Sequence, residues 1–132
     1  MIIWISSYPK SGNTWVRLFL EKYLNFIEHN FHLGGFPDFA QFESLGINYQ
    51  KFEDIIKNWS ILQSKQNLNG KFNILKTQNA LCTIGNHKFT DTSNTLGGIY
   101  LIRDPRDILV SYSSHLNLKH EETLKIMIDP YA

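Results

Sequence analysis

Apolar residues gather in three short runs: Ile2-Ile3-Trp4-Ile5, Phe72-Asn73-Ile74-Leu75 and Gly98-Ile99-Tyr100-Leu101-Ile102. Short apolar runs of this kind predict strands of a parallel sheet, the outer two buried on both faces. Between and after them the period changes. Val16, Phe19, Leu20, Tyr23, Leu24 and Ile27 recur at helical steps and predict an amphipathic helix over 13–28. Phe52, Ile55, Ile56, Trp59 and Leu62 predict a second over 49–66, ended by Asn67 to Gly70. Pro105 suits a helix first turn and predicts a third over 105–117. A short fourth spans 120–128 and stops at Asp129-Pro130.

Residues 29–48, with Gly34-Gly35, Pro37 and Gly46 among aromatics, read as a structured loop. Residues 80–97 read as irregular, with a turn at Thr92-Ser93-Asn94. Strands alternating with helices predict an α/β fold, a three-layer sandwich around a small parallel sheet. There is no internal repeat and no low-complexity segment.

Composition narrows the classes. A chain of 132 residues fits one domain over 1–132, and 42% hydrophobic content is enough for a core. A net charge of +1 argues against a general nucleic-acid binder, whose affinity needs many phosphate contacts. The single cysteine, Cys82, allows no internal disulfide and no paired metal motif, so no metal is expected. No apolar run approaches membrane-spanning length, and Met1 to Ile5 is too short for a signal-peptide core. These readings predict a cytoplasmic protein with no membrane partner.

Two segments carry the chemistry. Tyr8-Pro9-Lys10-Ser11-Gly12-Asn13-Thr14-Trp15 follows the first strand and opens a helix. Gly12 permits positive φ, Lys10 supplies a mobile cation, and Ser11, Asn13 and Thr14 add donors at a helix start that favours anions. The order differs from the Walker pattern, because the lysine precedes the glycine. An ordinary helix cap with a chance lysine is the alternative. The second segment is Arg103-Asp104-Pro105-Arg106-Asp107-Ile108-Leu109-Val110-Ser111-Tyr112, after the third strand. Arg103 can grip a phosphate through two parallel hydrogen bonds, and Ser111 can add a hydroxyl from the helix. Here the alternative is a surface cluster in which Asp104, Arg106 and Asp107 pair among themselves. Two anion sites in one sheet predict a ligand with two separated anionic groups.

Both segments resemble the motifs of sulfotransferases that use 3′-phosphoadenosine 5′-phosphosulfate (PAPS). The first is similar to their 5′-phosphosulfate loop, with Asn13 where many members carry threonine. The second resembles their 3′-phosphate motif. The resemblance implies a P-loop-like fold and sulfuryl transfer to a hydroxyl or amine of a small-molecule acceptor, without a metal. It implies that Lys10 meets the bridging oxygen and the sulfuryl group, and that Ser11, Gly12, Asn13 and Thr14 hold the 5′-phosphate. Trp15 would stack near the adenine, and Arg103 and Ser111 would contact the 3′-phosphate.

Two departures stand beside it. The family usually carries Lys-Thr-His after the middle strand, with the histidine as general base. This chain has Lys76-Thr77-Gln78, and glutamine does not titrate. Loss of a positioned base costs about 10²–10⁴ in rate. Of the histidines His29, His32, His87, His115 and His120, His115 is the one to watch, since it can share a helix face with Ser111. The resemblance also covers about half of a typical member. Nothing after Ser111 looks like the usual C-terminal part with its Arg-Lys-Gly motif. A naturally short form, a truncated frame and a fragment all remain open, and partner chains, including further copies, could cover exposed surface. The rival functions are a non-catalytic PAP- or PAPS-binding relic and a nucleotide kinase or NTPase. The displaced lysine speaks against the latter.

Overall fold

The computed structural model describes residues 1–27, 31–36, 39–48 and 50–129. The elements run β1 (Ile2–Ser7), α1 (Asn13–Ile27), β2 (Phe31–Gly35), α2 (Phe39–Ser44), α3 (Phe52–Asn67), β3 (Phe72–Thr77), β4 (Thr83–Ile84), β5 (His87–Lys88), β6 (Thr95–Leu101), α4 (Pro105–Leu116) and α5 (His120–Ile128). Four strands form one parallel sheet in the order β2-β3-β1-β6. The short β4-β5 hairpin stands apart and is antiparallel.

The first apolar run makes the inner strand. Ile2, Trp4 and Ile5 are buried, and alternation sends Trp4 and Ile5 to opposite faces. On the Trp4 face, its ring meets Phe36 edge-on at 5.5 Å and Phe89 at 5.1 Å, and Trp59 meets Phe89 at 5.3 Å. Ile56 and Leu62 of α3 close this cluster with Leu75 of β3. The crossovers β1 to β2 and β2 to β3 run in opposite directions along the sheet. Right-handed connections therefore put α1 and α3 on opposite faces, giving three layers.

Buried polar groups tie the chain between β5 and β6 to this core. The fully buried Gln63 donates to the Phe89 carbonyl at 2.5 Å and accepts from Thr90 Oγ1 at 2.6 Å. Trp4 Nε1 donates to Thr95 Oγ1 at 2.8 Å, at the first residue of β6. Such pairs matter most negatively, because removing one partner strands a buried polar atom.

Three sequence expectations are revised. The stretch 29–48 is more than a loop: within it lie β2 and α2. Phe31 to Gly35 has two glycines and little strand character of its own; its pairing with Phe72 to Lys76 makes it a strand. The third apolar run is not buried. β6 begins earlier, at Thr95, and lies at the sheet edge, with Leu96 59%, Ile99 45% and Tyr100 66% exposed. Ile102 lies beyond the strand and is 84% exposed. An apolar run records suitability for burial, whereas burial itself needs a neighbour. The same reason leaves Phe19 and Tyr23, on the apolar face of α1, largely exposed and stacked on each other at 5.9 Å. No helix among the described residues is long and apolar enough to cross a membrane.

Candidate functional site

Adjacent parallel strands present their carboxyl ends at one edge of a sheet, where α/β folds place ligands. Here that edge carries Gln78 after β3, Tyr8 to Gly12 after β1, and Arg103 after β6. Strands about 4.8 Å apart put these three ends within about 10 Å along the edge.

The first loop is held in a conformation that exposes its donors. Lys10 has φ +64° and Gly12 φ +98°. A Cβ at Gly12 would meet nothing within 4 Å, so its backbone angle, not crowding, selects glycine there. Ser11 N–H donates to the Tyr8 carbonyl at 3.3 Å, and Val16 N–H to the Gly12 carbonyl at 3.2 Å, which starts α1. Asn13 is buried. Its Nδ2 donates to the Ile5 carbonyl at 3.1 Å and to Ser7 Oγ at 3.1 Å, so its side chain pins the loop to β1. Toward an anion it can offer its backbone N–H. Ser11 Oγ and Asn13 Oδ1 are buried without a partner. The first turn of α1 holds no acidic residue to satisfy its free N–H groups. A nearby lysine, an unmatched hydroxyl and a helix first turn with no acidic residue fit a phosphate-type anion.

The second motif reaches the first. Arg103 Nη1 donates to the Lys10 carbonyl at 3.2 Å. Its Nε stands 3.8 Å from Asp107, a loose, exposed pair of little energetic weight. Arg106 instead pairs with Asp104 at 2.6 Å. Asp104 also caps α4 by accepting from the Arg106 N–H at 2.9 Å. Hydrogen bonds from the Arg106 side chain, then from its backbone N–H, hold the Asp104 carboxyl below the usual range. The charged cluster therefore divides: Asp104 and Arg106 serve the helix start, and Arg103 turns to the loop. Ser111 is half-buried on α4. Trp15, at the start of α1, is 80% exposed.

A cleft of about 1060 Å³ opens beside these motifs. Trp4, Ser6, Gly98 and Tyr100 line it from the sheet, and Tyr8, Pro9, Gln78 and Tyr112 line it from the strand ends and α4. Lys10, Arg103 and Ser111 are outside its lining. The first motif thus divides between Pro9 and Lys10, with Tyr8 and Pro9 in the cleft lining and Lys10 to Trp15 outside it. Tyr8 and Tyr112 meet edge-to-face at 6.4 Å. Burial first, and then Tyr112, raise the Tyr8 phenol above its ordinary value.

His115 stacks on Tyr112 at 6.5 Å but does not line the cleft. His87 lies on β5 and His120 opens α5. His29 and the side chain of His32 lie outside the described residues. Sequence reasoning passed over Tyr8 and Tyr112 as site residues, although both sit inside the two motifs. Arg17 Nε, on α1, is buried without a partner. No cluster of three or more metal-ligating side chains occurs among the described residues.

The family described as the sulfotransferase domain matches residues 2–130. No curated protein and no solved structure matches the chain.

Proposed function

The chain belongs to the sulfotransferase domain family, and on that premise we propose that it transfers a sulfuryl group from PAPS to a hydroxyl or amine. The observation that carries this reading is the Arg103–Lys10 hydrogen bond, which brings the two anion motifs together at one sheet edge. PAPS supplies an activated sulfuryl group, whose bond to the phosphate oxygen breaks as a bond from acceptor to sulfur forms.

The chain's own residues have separate tasks. Lys10 neutralises charge that gathers on the departing phosphate oxygen, where preorganised electrostatics contribute most. Ser11 Oγ and the N–H groups of Gly12, Asn13 and Thr14 hold the 5′ end. Arg103 and Ser111 hold the 3′-phosphate, which fixes the reacting end in line. The exposed Trp15 ring is free to stack on adenine. Gln78, lining the cleft, orients the acceptor without taking its proton.

A second reading, a nucleotide-binding relic, is favoured by one observation: among the described residues, no histidine lines the cleft. The deciding experiment joins calorimetry to turnover. 3′-Phosphoadenosine 5′-phosphate (PAP) should bind more tightly than 5′-AMP, and PAPS should give sulfated product with a panel of acceptors. Tight PAP binding with no product favours the relic. Equal PAP and AMP affinities with no product refute both. Magnesium-dependent ATP turnover would point instead to an NTPase.

A further inference from the structure

The turn between α3 and β3 holds the parts of a reaction that needs no ligand. Asn69 is the one asparagine in the sequence that is followed by glycine. Asn69 and Gly70 are both exposed, and Gly70 sits at φ +70° with no Cβ to shield its nitrogen. Among the described residues the Gly70 N–H donates to no backbone acceptor, so its nitrogen is uncommitted. The Asn69 side chain is held beside it. Its Oδ1 accepts from the Lys71 N–H at 2.8 Å, and its Nδ2 donates to Asn73 Oδ1 at 2.7 Å. The Lys71 contact polarises the amide and stabilises negative charge that gathers on Oδ1, as backbone donors do at other acyl centres.

We propose that Asn69 is a site of spontaneous deamidation and that its conversion loosens the entry to β3. The Gly70 nitrogen bonds to Asn69 Cγ while its proton passes through solvent to Nδ2. The Cγ–Nδ2 bond breaks, ammonia leaves and a cyclic imide closes. Water then opens the imide at either carbonyl, giving aspartate or isoaspartate. One water is consumed and one ammonia released, with no change of oxidation state.

Asn73 transmits the damage. It is fully buried in β3, opposite Ile2 of β1 and His32 of β2, and its N–H donates to the Met1 carbonyl at 3.1 Å. Its Oδ1 has a second donor, Gln66 Nε2, only at 3.3 Å. Aspartate sets a carboxylate oxygen against that Oδ1 in place of the Asn69 donor. Isoaspartate lengthens the main chain by a methylene. Turning the Asn73 amide over offers no relief, because its Nδ2 donates to the Gln66 carbonyl at 3.2 Å. Either product deprives a buried acceptor of its main donor, a loss that is felt in full.

The test ages the full chain at mildly alkaline pH, folded and in urea, and follows it by peptide mass spectrometry, isoaspartate methyltransferase labelling and thermal melting. Asn69 should convert at least tenfold faster than any other asparagine, and no more slowly in the folded chain than in urea. The melting temperature should fall in step with conversion. Asn69→Ser keeps an oxygen for the Lys71 N–H and has no amide to lose, so its melting temperature should hold over the same interval. Asn69→Asp should melt below the parent from the outset. Tenfold protection of Asn69 by folding would show that the turn shields the site and would overturn the proposal. So would conversion no faster than at other asparagines, or an aged parent chain as stable as the fresh one. These readouts involve neither nucleotide nor acceptor, so they stand apart from the sulfuryl-transfer reading.

Discussion

Arg103 and Lys10 are 93 residues apart in sequence, yet the Arg103 guanidinium donates to the Lys10 main-chain carbonyl at 3.2 Å. The bond joins the turn after β1 to the turn after the neighbouring β6. It also satisfies a carbonyl at a residue held in the left-handed region, φ +64°. One arginine therefore orders the loop and carries a cation to the site.

If Arg103 also holds a 3′-phosphate, Arg103→Ala should remove the preference for PAP over AMP. Charge-assisted contacts of this kind are worth about 1.5–3 kcal/mol. Calorimetry on both nucleotides, with the parent chain and the variant, measures the loss. A preference that survives the substitution would sink the role given to Arg103.

Lys10 separates catalysis from stability. A non-glycine residue in the left-handed region costs about 1–2 kcal/mol. Lys10→Gly releases that strain, against about 0.4–1 kcal/mol of added chain entropy in the unfolded state. The variant should therefore melt at the same temperature or slightly higher, while sulfuryl transfer falls more than nucleotide binding does. Unchanged turnover would refute the charge-neutralising role.

Gln78 holds the position where the family usually has its base. The parent chain should be inactive or very slow toward unactivated alcohols. Gln78→His should raise transfer by up to about 10²–10⁴. Gln78 is exposed, so the exchange should leave the core undisturbed. Product formation from PAPS by both proteins decides it. Brisk transfer by the parent chain would mean that another group replaces the base.

Asn13 fastens the loop to β1 through two side-chain hydrogen bonds. Asn13→Ala removes both tethers and should cost about 1–3 kcal/mol. Thermal melting should show the loss, and PAP affinity should fall with it. A variant as stable as the parent would show that the loop needs no such tether.

Asp91 gives a pH signature. The Ser93 hydroxyl is the main cause holding its carboxyl below the ordinary value, assisted by the backbone N–H groups of Asn94 and Ser93. A depressed folded-state value means that stabilisation is present above the unfolded value of about 3.9 and disappears as pH falls through the lower, folded value. Asp91→Asn keeps an oxygen for the turn but does not titrate. The melting-temperature advantage of the parent chain should be constant above pH of about 5 and shrink below about 4. A constant advantage down to strongly acidic pH would refute the assignment.

Strands β1, β3 and β6 and helices α1, α3, α4 and α5 were legible because local pattern is set by neighbours in sequence. Ile2 to Ile5 alternates into two covered faces, and Pro105 and Asn117 bracket α4 with the turn chemistry those residues supply. The tight turn after β1 was legible for the same reason: Lys10, Ser11 and Gly12 lie within one turn, with Gly12 at positive φ. Contacts made across the sheet could not be read. Phe31 to Gly35 becomes a strand only through its pairing with β3, and the apolar β6 stays exposed because it has a neighbour on one side only. Asn13, an apparent donor to phosphate in sequence, turns its side chain back to β1. The sequence by itself determined where the turns after β1 and β6 fall and which cations they carry. The tertiary structure alone decided that Arg103 reaches Lys10 and that Tyr8, Gln78 and Tyr112 border one cleft. Those relationships depend on parallel pairing of strands far apart in the chain, and no local periodicity encodes which strand lies beside which.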